Sequence, residues 1–279
     1  MLQNLTQDPY KGYLICASYA PNFYLYALNL IESIRDHDPN ANICLAVSPY
    51  LCDGRESIAD HVIHVGDTPR EKLIALTKTP FDITMYIDAD SEVMHDDIST
   101  CFDQLNGNDI VFCALTAERE YCYTARSFPG GALELCGANF VYDNRKQIVK
   151  DFMKDWKDYY WAQHYNKDWW PTNEEGQPDY ALYPETYRQW DQFTLWWLTK
   201  KVDKYKDLKF DIFEDDARWN WYALYIESRT PIKDPAIIHH HSWGVSKYEK
   251  SYGNIGSVSY THLRAHETPE HLVCRLLLE

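Results

Sequence analysis

Short apolar runs alternate with amphipathic stretches along most of the chain. Residues 13–18, YLICAS, form a continuous apolar run between Gly12 and Pro21, the pattern of a strand covered on both faces. In 22–36, Phe23, Ala27, Leu30, Ile31 and Ile34 recur at helical spacing, with Asn22 placed to cap the helix. Residues 43–48, ICLAVS, 61–65, HVIHV, and 83–87, ITMYI, predict a second, third and fourth strand. Pro69 opens a predicted helix that runs to about Thr79, where Pro80 stops it. Residues 110–115 and 138–142 continue the sheet, and 147–161 form a helix with Ile148, Phe152 and Trp156 on one side. Strands alternating with helices predict an α/β fold. Its central sheet is mostly parallel and flanked by helices, with ligands beyond the carboxyl ends of the strands. No linker-like shift in composition interrupts residues 1–256, so they are expected to form one domain.

Residues 257–279 break the pattern. VSYTHLRAHET matches the translation of a common transposase sequencing adapter, and LVCRLLLE matches the fixed bases beyond its index. This tail is expected to be non-native, and the natural C-terminus to lie beyond about residue 256.

The formal net charge of −15 argues against a nucleic-acid partner and an anionic membrane surface, both of which select clustered Lys and Arg. No apolar run reaches the roughly 20 residues of a membrane helix, and the start shows no secretory signal. Of eight cysteines, one lies in the tail, and no CxxC pair occurs. That pattern fits reduced thiols in a cytoplasmic protein.

The main chemical signal follows the fourth strand. Asp88 and Asp90, separated by the small Ala89, are expected to point the same way from an extended strand end. Such a pair suits a hard divalent cation that is shared with substrate phosphates, although a solvated acidic turn has the same sequence. Glu92, Asp96 and Asp97 are read as surface charges. Near the other end, PAIIHHHSWGVSK places His239 and His241 on one face of a short strand, with His240 opposite. An imidazole could complete a Mn²⁺ or Zn²⁺ site; a polar edge strand is the plainer reading. Lys247 could set an ammonium against a diphosphate.

Taken together these segments resemble the GT-A glycosyltransferases, most closely the retaining group that includes glycogenin and galactinol synthase. YLYALNLIESIR at 24–35 is similar to the first helix of that group, with Tyr24, Ala27, Leu30 and Ser33 at matching spacings. EKLIALTKTPFDITMYIDAD at 71–90 places Lys72 sixteen residues before the first Asp of a DxD motif. WDQFTL at 190–195 is similar to the group's Asp-Gln segment, and HSWGVSK at 241–247 to its His-x-x-Gly-x-x-Lys motif. There Tyr248-Glu249 replaces the usual Pro-Trp, and CGANF at 136–140 is a loose match to an Asn-Ser/Ala-Gly segment.

The resemblance implies a metal-dependent hexosyltransferase that moves a sugar from a nucleotide-diphosphate sugar, a UDP-sugar, to an acceptor hydroxyl with retention. Asp88, Asp90 and His241 would bind Mn²⁺ or Mg²⁺, with His239 as the alternative third ligand. Ser18, Tyr19 and Tyr24 would hold the nucleoside. Lys72, the Ala89 segment, Gly244 and Lys247 would meet the sugar diphosphate. Asp191 and Gln192 would line the junction of sugar and acceptor; in an inverting enzyme Asp191 would be the general base. A helix N-terminal charge is the equally good bland reading of Asp191. The aromatic segment 156–197 is assigned to the acceptor side, with Trp169, Trp170 and Pro171 as a flap over it. Two other classes stay open: an inactive GT-A-like carbohydrate-binding protein, and a nucleotidyltransferase. Against the second, the sequence shows no Gly-rich, Arg/Lys-bearing loop after the first strand to cradle a triphosphate.

Overall fold

A computed structural model describes residues 9–115, 134–179, 183, 185–222 and 235–240. Among them, strands β1 (Lys11–Ala17), β2 (Ile43–Val47), β3 (His61–His64), β4 (Ile83–Asp88), β6 (Ile110–Leu115), β7 (Glu134–Asp143) and β8 (Phe210–Ile212) form a seven-stranded sheet. Its order is β3-β2-β1-β4-β7-β6-β8. The pairs β2–β3, β1–β2, β1–β4 and β6–β8 are parallel, and β7 runs antiparallel to both β4 and β6. The mostly parallel α/β architecture expected from the sequence is therefore present. A second, small sheet joins β5 (Ser91–Val93), β10 (Ile237–His239) and β9 (Trp221–Tyr222).

The sheet separates two apolar layers. One holds helix α1 (Pro21–His37), with Ala27, Leu30, Ile31 and Ile34 buried against Tyr13, Ile15, Ile43 and Leu45. The other holds α2 (Lys72–Leu76), α3 (Gln147–Tyr165) and α4 (Asp191–Lys201), which bury Leu73, Phe152, Trp156, Leu195 and Leu198 against Phe112, Phe140 and Tyr142. The central strands β1 and β2 are covered from both sides, which explains their unbroken apolar runs. The edge strand β3 instead exposes alternate residues. No helix among the described residues is long and apolar enough to cross a membrane.

Three local expectations are corrected. Asn22 does not cap α1. Pro21 takes the first helical position, where its missing N–H costs nothing, and the capping position is Ala20. The helix expected from Pro69 to Thr79 shrinks to Lys72–Leu76. The cause is Glu71, buried at 2% exposure, whose carboxylate accepts from Gly66 N (2.9 Å) and Thr68 Oγ1 (2.7 Å) and so folds 66–71 into a loop. Trp170 is not part of an exposed flap. It is buried in an aromatic cluster with Tyr187, Phe193 and Trp196, its ring 5.2 Å from that of Phe193.

The fit of β1 against the 80–82 turn is tight. A Cβ built on Gly12 would lie 2.5 Å from the Phe81 ring, which is itself buried. Gly12→Ala is therefore expected to destabilise the protein by roughly 1–3 kcal/mol through overpacking. Thermal unfolding checks this: the melting temperature falls by several degrees, and Gly12→Ala combined with Phe81→Leu costs less than the sum of the two single changes.

Candidate active site

The carboxyl end of β4 lies between the two sheets. Asp88 is the last residue of β4, paired with Cys16 of β1, and Ala89-Asp90 turn the chain into β5. The two carboxylates therefore meet across a tight turn, not by alternation along one extended strand as expected. Ala89, at 4% exposure, packs into the core and anchors that turn. Strand β10 runs antiparallel to β5 with His239 opposite Ser91, and His240 N donates to Asp90 O at 2.8 Å. This register brings His239 Nε2 to 3.1 Å from Asp90 Oδ1. One ligand atom each from Asp88, Asp90 and His239 lies within 4.8 Å of the others, close enough to share a cation. His240 turns away and pairs with Glu92 at 2.8 Å, so Glu92 is a half-buried ion-pair partner and not a bare surface charge. His241, Gly244 and Lys247 lie outside the described residues, as does the 257–279 tail.

A second cluster of charge adjoins the first. The Lys72 ammonium, on the first turn of α2, sits 2.9 Å from Asp191 Oδ2, 3.7 Å from Asp88 Oδ1 and 3.2 Å from the Gly137 carbonyl. Asp191 is the first residue of α4, at 1% exposure, with the Arg70 guanidinium 3.6 Å from its other oxygen. Asp191 therefore opens a helix, as its plainer reading expects, and it also faces the charge cluster. Gln192 follows it on α4, half-buried. Tyr86, two residues before Asp88 on the same face of β4, donates its hydroxyl to Asp88 Oδ1 at 2.7 Å.

Burial opposes every charge here, and the neighbours decide which charges survive it. Burial works against ionised Asp191, but Lys72 and Arg70 outweigh it and hold the carboxyl below its ordinary range. Burial likewise disfavours the Lys72 ammonium, and Asp191 and Asp88 reverse this and raise its pKa. For Asp88 burial wins: its carboxyl is pushed up, with Asp90 adding to the push and Lys72 and His239 opposing it. His239 would lose its proton more easily for being buried, yet the Asp90 carboxylate raises it.

The expected nucleoside residues divide. Ser18 is buried at the end of β1 and donates to Thr68 O at 2.9 Å. Tyr19 follows with φ +70°, a left-handed conformation that a non-glycine residue adopts at some cost and that concentrates at functional sites. Tyr24 is elsewhere. Its ring is buried and its hydroxyl is held by Asp53 (2.9 Å) and Glu56 (3.0 Å), so it ties α1 to the 53–56 turn. Sequence reasoning missed Arg70, Glu71, Tyr86, Asn139 and Asn220. Tyr86 was open to a period-two reading back from Asp88; the asparagines carry no local signal.

No family model and no curated protein matches the chain. Solved structures do. The glycosyltransferase GlyE of Streptococcus pneumoniae TIGR4 superposes with a TM-score of 0.51 and 15% identity, covering 84% of this chain and 55% of GlyE. The chain thus spans about half the length of GlyE. The galactosyltransferase LgtC, solved with donor and acceptor sugar analogues, gives a TM-score of 0.50 and 14% identity, covering 91% of this chain and 99% of LgtC. At such identities the likeness is one of fold, and the fold is that of the GT-A glycosyltransferases.

The buried pair of Lys72 and Asp191 generates a stability prediction. Asp191→Asn removes the carboxylate closest to a buried ammonium and is expected to cost about 3–5 kcal/mol in chemical denaturation. Because the folded carboxyl titrates below its unfolded value, its contribution is full above about pH 4 and is lost as pH falls through the lower folded value. The Asn variant should lack that part of the acid decline. A denaturation series from pH 7 to pH 3 checks both.

Proposed function

We propose that the chain is a metal-dependent glycosyltransferase that moves a sugar from a nucleotide-diphosphate sugar to an acceptor hydroxyl. The observation that carries this reading is the convergence of Asp88, Asp90 and His239 at the carboxyl end of β4, where ligands of such sheets bind. Two carboxylates and one imidazole are a fitting donor set for a divalent ion of intermediate hardness, and the imidazole favours Mn²⁺ over Mg²⁺. Asp88, Asp90 and His239 would hold that ion, which when bound supplies Lewis-acid stabilisation of the departing diphosphate.

The reaction breaks the bond between the anomeric carbon and the diphosphate oxygen, and that oxygen keeps the electron pair. A new bond forms to the acceptor oxygen, whose hydroxyl proton is released. Lys72 brings fixed positive charge to the edge of the carboxylate pair, where negative charge develops on the leaving group. Asp191 keeps its negative charge beside Lys72, so it suits electrostatic stabilisation of an oxocarbenium-like centre. A carboxylate held below its ordinary pKa is a weak proton acceptor, which argues against Asp191 as a general base; retention is the outcome the sequence resemblance favours. Ser18 and Tyr19, beyond the carboxyl end of β1, lie where a nucleoside would sit, and uridine is the base the sequence resemblance favours. The free thiols of Cys16, Cys44, Cys52 and Cys101 fit a reducing, cytoplasmic setting.

Thermal-shift titration with UDP-sugars and with nucleoside triphosphates, with and without Mn²⁺, tests the reading. A UDP-sugar at 100 times its Kd should stabilise the protein by about 2.7 kcal/mol, only when Mn²⁺ is present. Asp90→Asn and His239→Ala should abolish that stabilisation and the Mn²⁺-dependent release of UDP. Stronger stabilisation by a triphosphate would point to a nucleotidyltransferase, and sugar binding without metal or turnover to a carbohydrate-binding protein.

A further inference from the structure

We infer that Asn220 and Asn139 are positioning residues that hold a proton on His239 Nδ1 and so turn its Nε2 toward the metal position. The inference rests on the metal reading of Asp88, Asp90 and His239.

The argument starts from a backbone carbonyl. Asn139 lies on β7 opposite Ile87, one residue before Asp88 on β4, and is fully buried. Its amide Nδ2 lies 3.0 Å from the carbonyl oxygen of Trp219. A carbonyl only accepts, so that corner of the Asn139 side chain must be the NH₂ group. The same Nδ2 lies 3.1 Å from the side chain of Asn220, also fully buried, so the atom it meets there must be the acceptor Oδ1. The other corner of Asn220, its Nδ2, donates to Cys136 Sγ at 3.3 Å. Asn220 Oδ1 in turn lies 3.2 Å from His239 Nδ1. An oxygen that cannot donate requires a proton on Nδ1. Nε2, the nitrogen 3.1 Å from Asp90 Oδ1, then bonds that carboxylate through its own proton, and it is the ring nitrogen that a cation held there would take in place of that proton.

The orientation therefore passes from one main-chain group through two amides to the imidazole. Asn139 Oδ1 has no hydrogen-bond partner among the described residues, although it is buried. An unsatisfied buried acceptor is costly, and its presence next to this relay fits an amide whose orientation is set by the site. Histidines that bind metals commonly donate their second ring N–H to a neighbouring acceptor, and loss of that acceptor typically weakens the metal about 10–100-fold. Here the acceptor is a neutral amide, held in its turn by a second amide.

Two readouts test this. In the first, Mn²⁺ is titrated and the free ion followed by electron paramagnetic resonance. Asn220→Ala should weaken Mn²⁺ about 10–100-fold. Asn220→Asp, which keeps an oxygen facing Nδ1, should bind within a few-fold of the unsubstituted protein. Equal binding by Asn220→Ala, or an Asn220→Asp as weak as Asn220→Ala, overturns the proposal. The second readout needs no metal. Long-range ¹H–¹⁵N spectra, assigned against His239→Gln, should show a proton on His239 Nδ1 that exchanges slowly with water, and Asn220→Ala should speed its exchange. An Nδ1 without a proton in the unsubstituted protein overturns the proposal. Absence of Mn²⁺ binding by the unsubstituted protein with an Nδ1–H ring would instead reject the metal reading and leave the relay confirmed.

Discussion

Two carboxylates held together at the end of a buried strand repel each other and lose most of their hydration. The rest of the site is arranged around that cost. Asp88 receives the Tyr86 hydroxyl and the Lys72 ammonium, and Asp90 receives the His239 imidazole. Lys72 is then over-committed to a buried position unless Asp191 joins it, and Asp191 in turn is met by Arg70. Charges of alternating sign thus run from the carboxylate pair to the first turn of α4. Each member would be unfavourable if buried alone.

This dependence explains features of the fold that otherwise look incidental. The small sheet of β5, β9 and β10 does more than bury Val93 and Ile237: it sets the register that puts His239 against Asp90. The shortness of α2 follows from Glu71 folding the preceding loop, and the same loop delivers Arg70 and Lys72 to the cluster from adjacent turns of chain. Trp156 joins the second layer of the core to the site directly, since its indole N–H donates to Asp191 O at 2.9 Å. Core packing therefore positions the residue that neutralises Lys72.

The sequence made the scaffold legible where burial is symmetrical. Strands β1, β2 and β4 are covered on both faces, so their apolar runs announce them, and the carboxylates follow the last of these runs. What escaped reading depends on contacts between distant segments. Nothing local to the HHH run distinguishes His239 from His240; the register of β10 against β5 does. Tyr24 matched a family spacing, but Asp53 and Glu56 claim its hydroxyl from a turn about thirty residues away. Trp170 stands among polar neighbours, and its burial comes from Phe193 and Trp196 on α4. Asn139 and Asn220 are eighty-one residues apart and act only as a pair. An i,i+2 carboxylate pair was legible as chemistry, whereas its geometry was misjudged, because a turn and not strand alternation brings the two together.

The most direct test of the account is the anomalous scattering of crystals grown with Mn²⁺ and UDP. The account predicts one manganese peak bonded to the carboxylates of Asp88 and Asp90 and to His239 Nε2, with diphosphate oxygens completing its shell. Nucleotide bound at this strand end without a metal peak among those three side chains, or a metal carried there by His241 in place of His239, would contradict it.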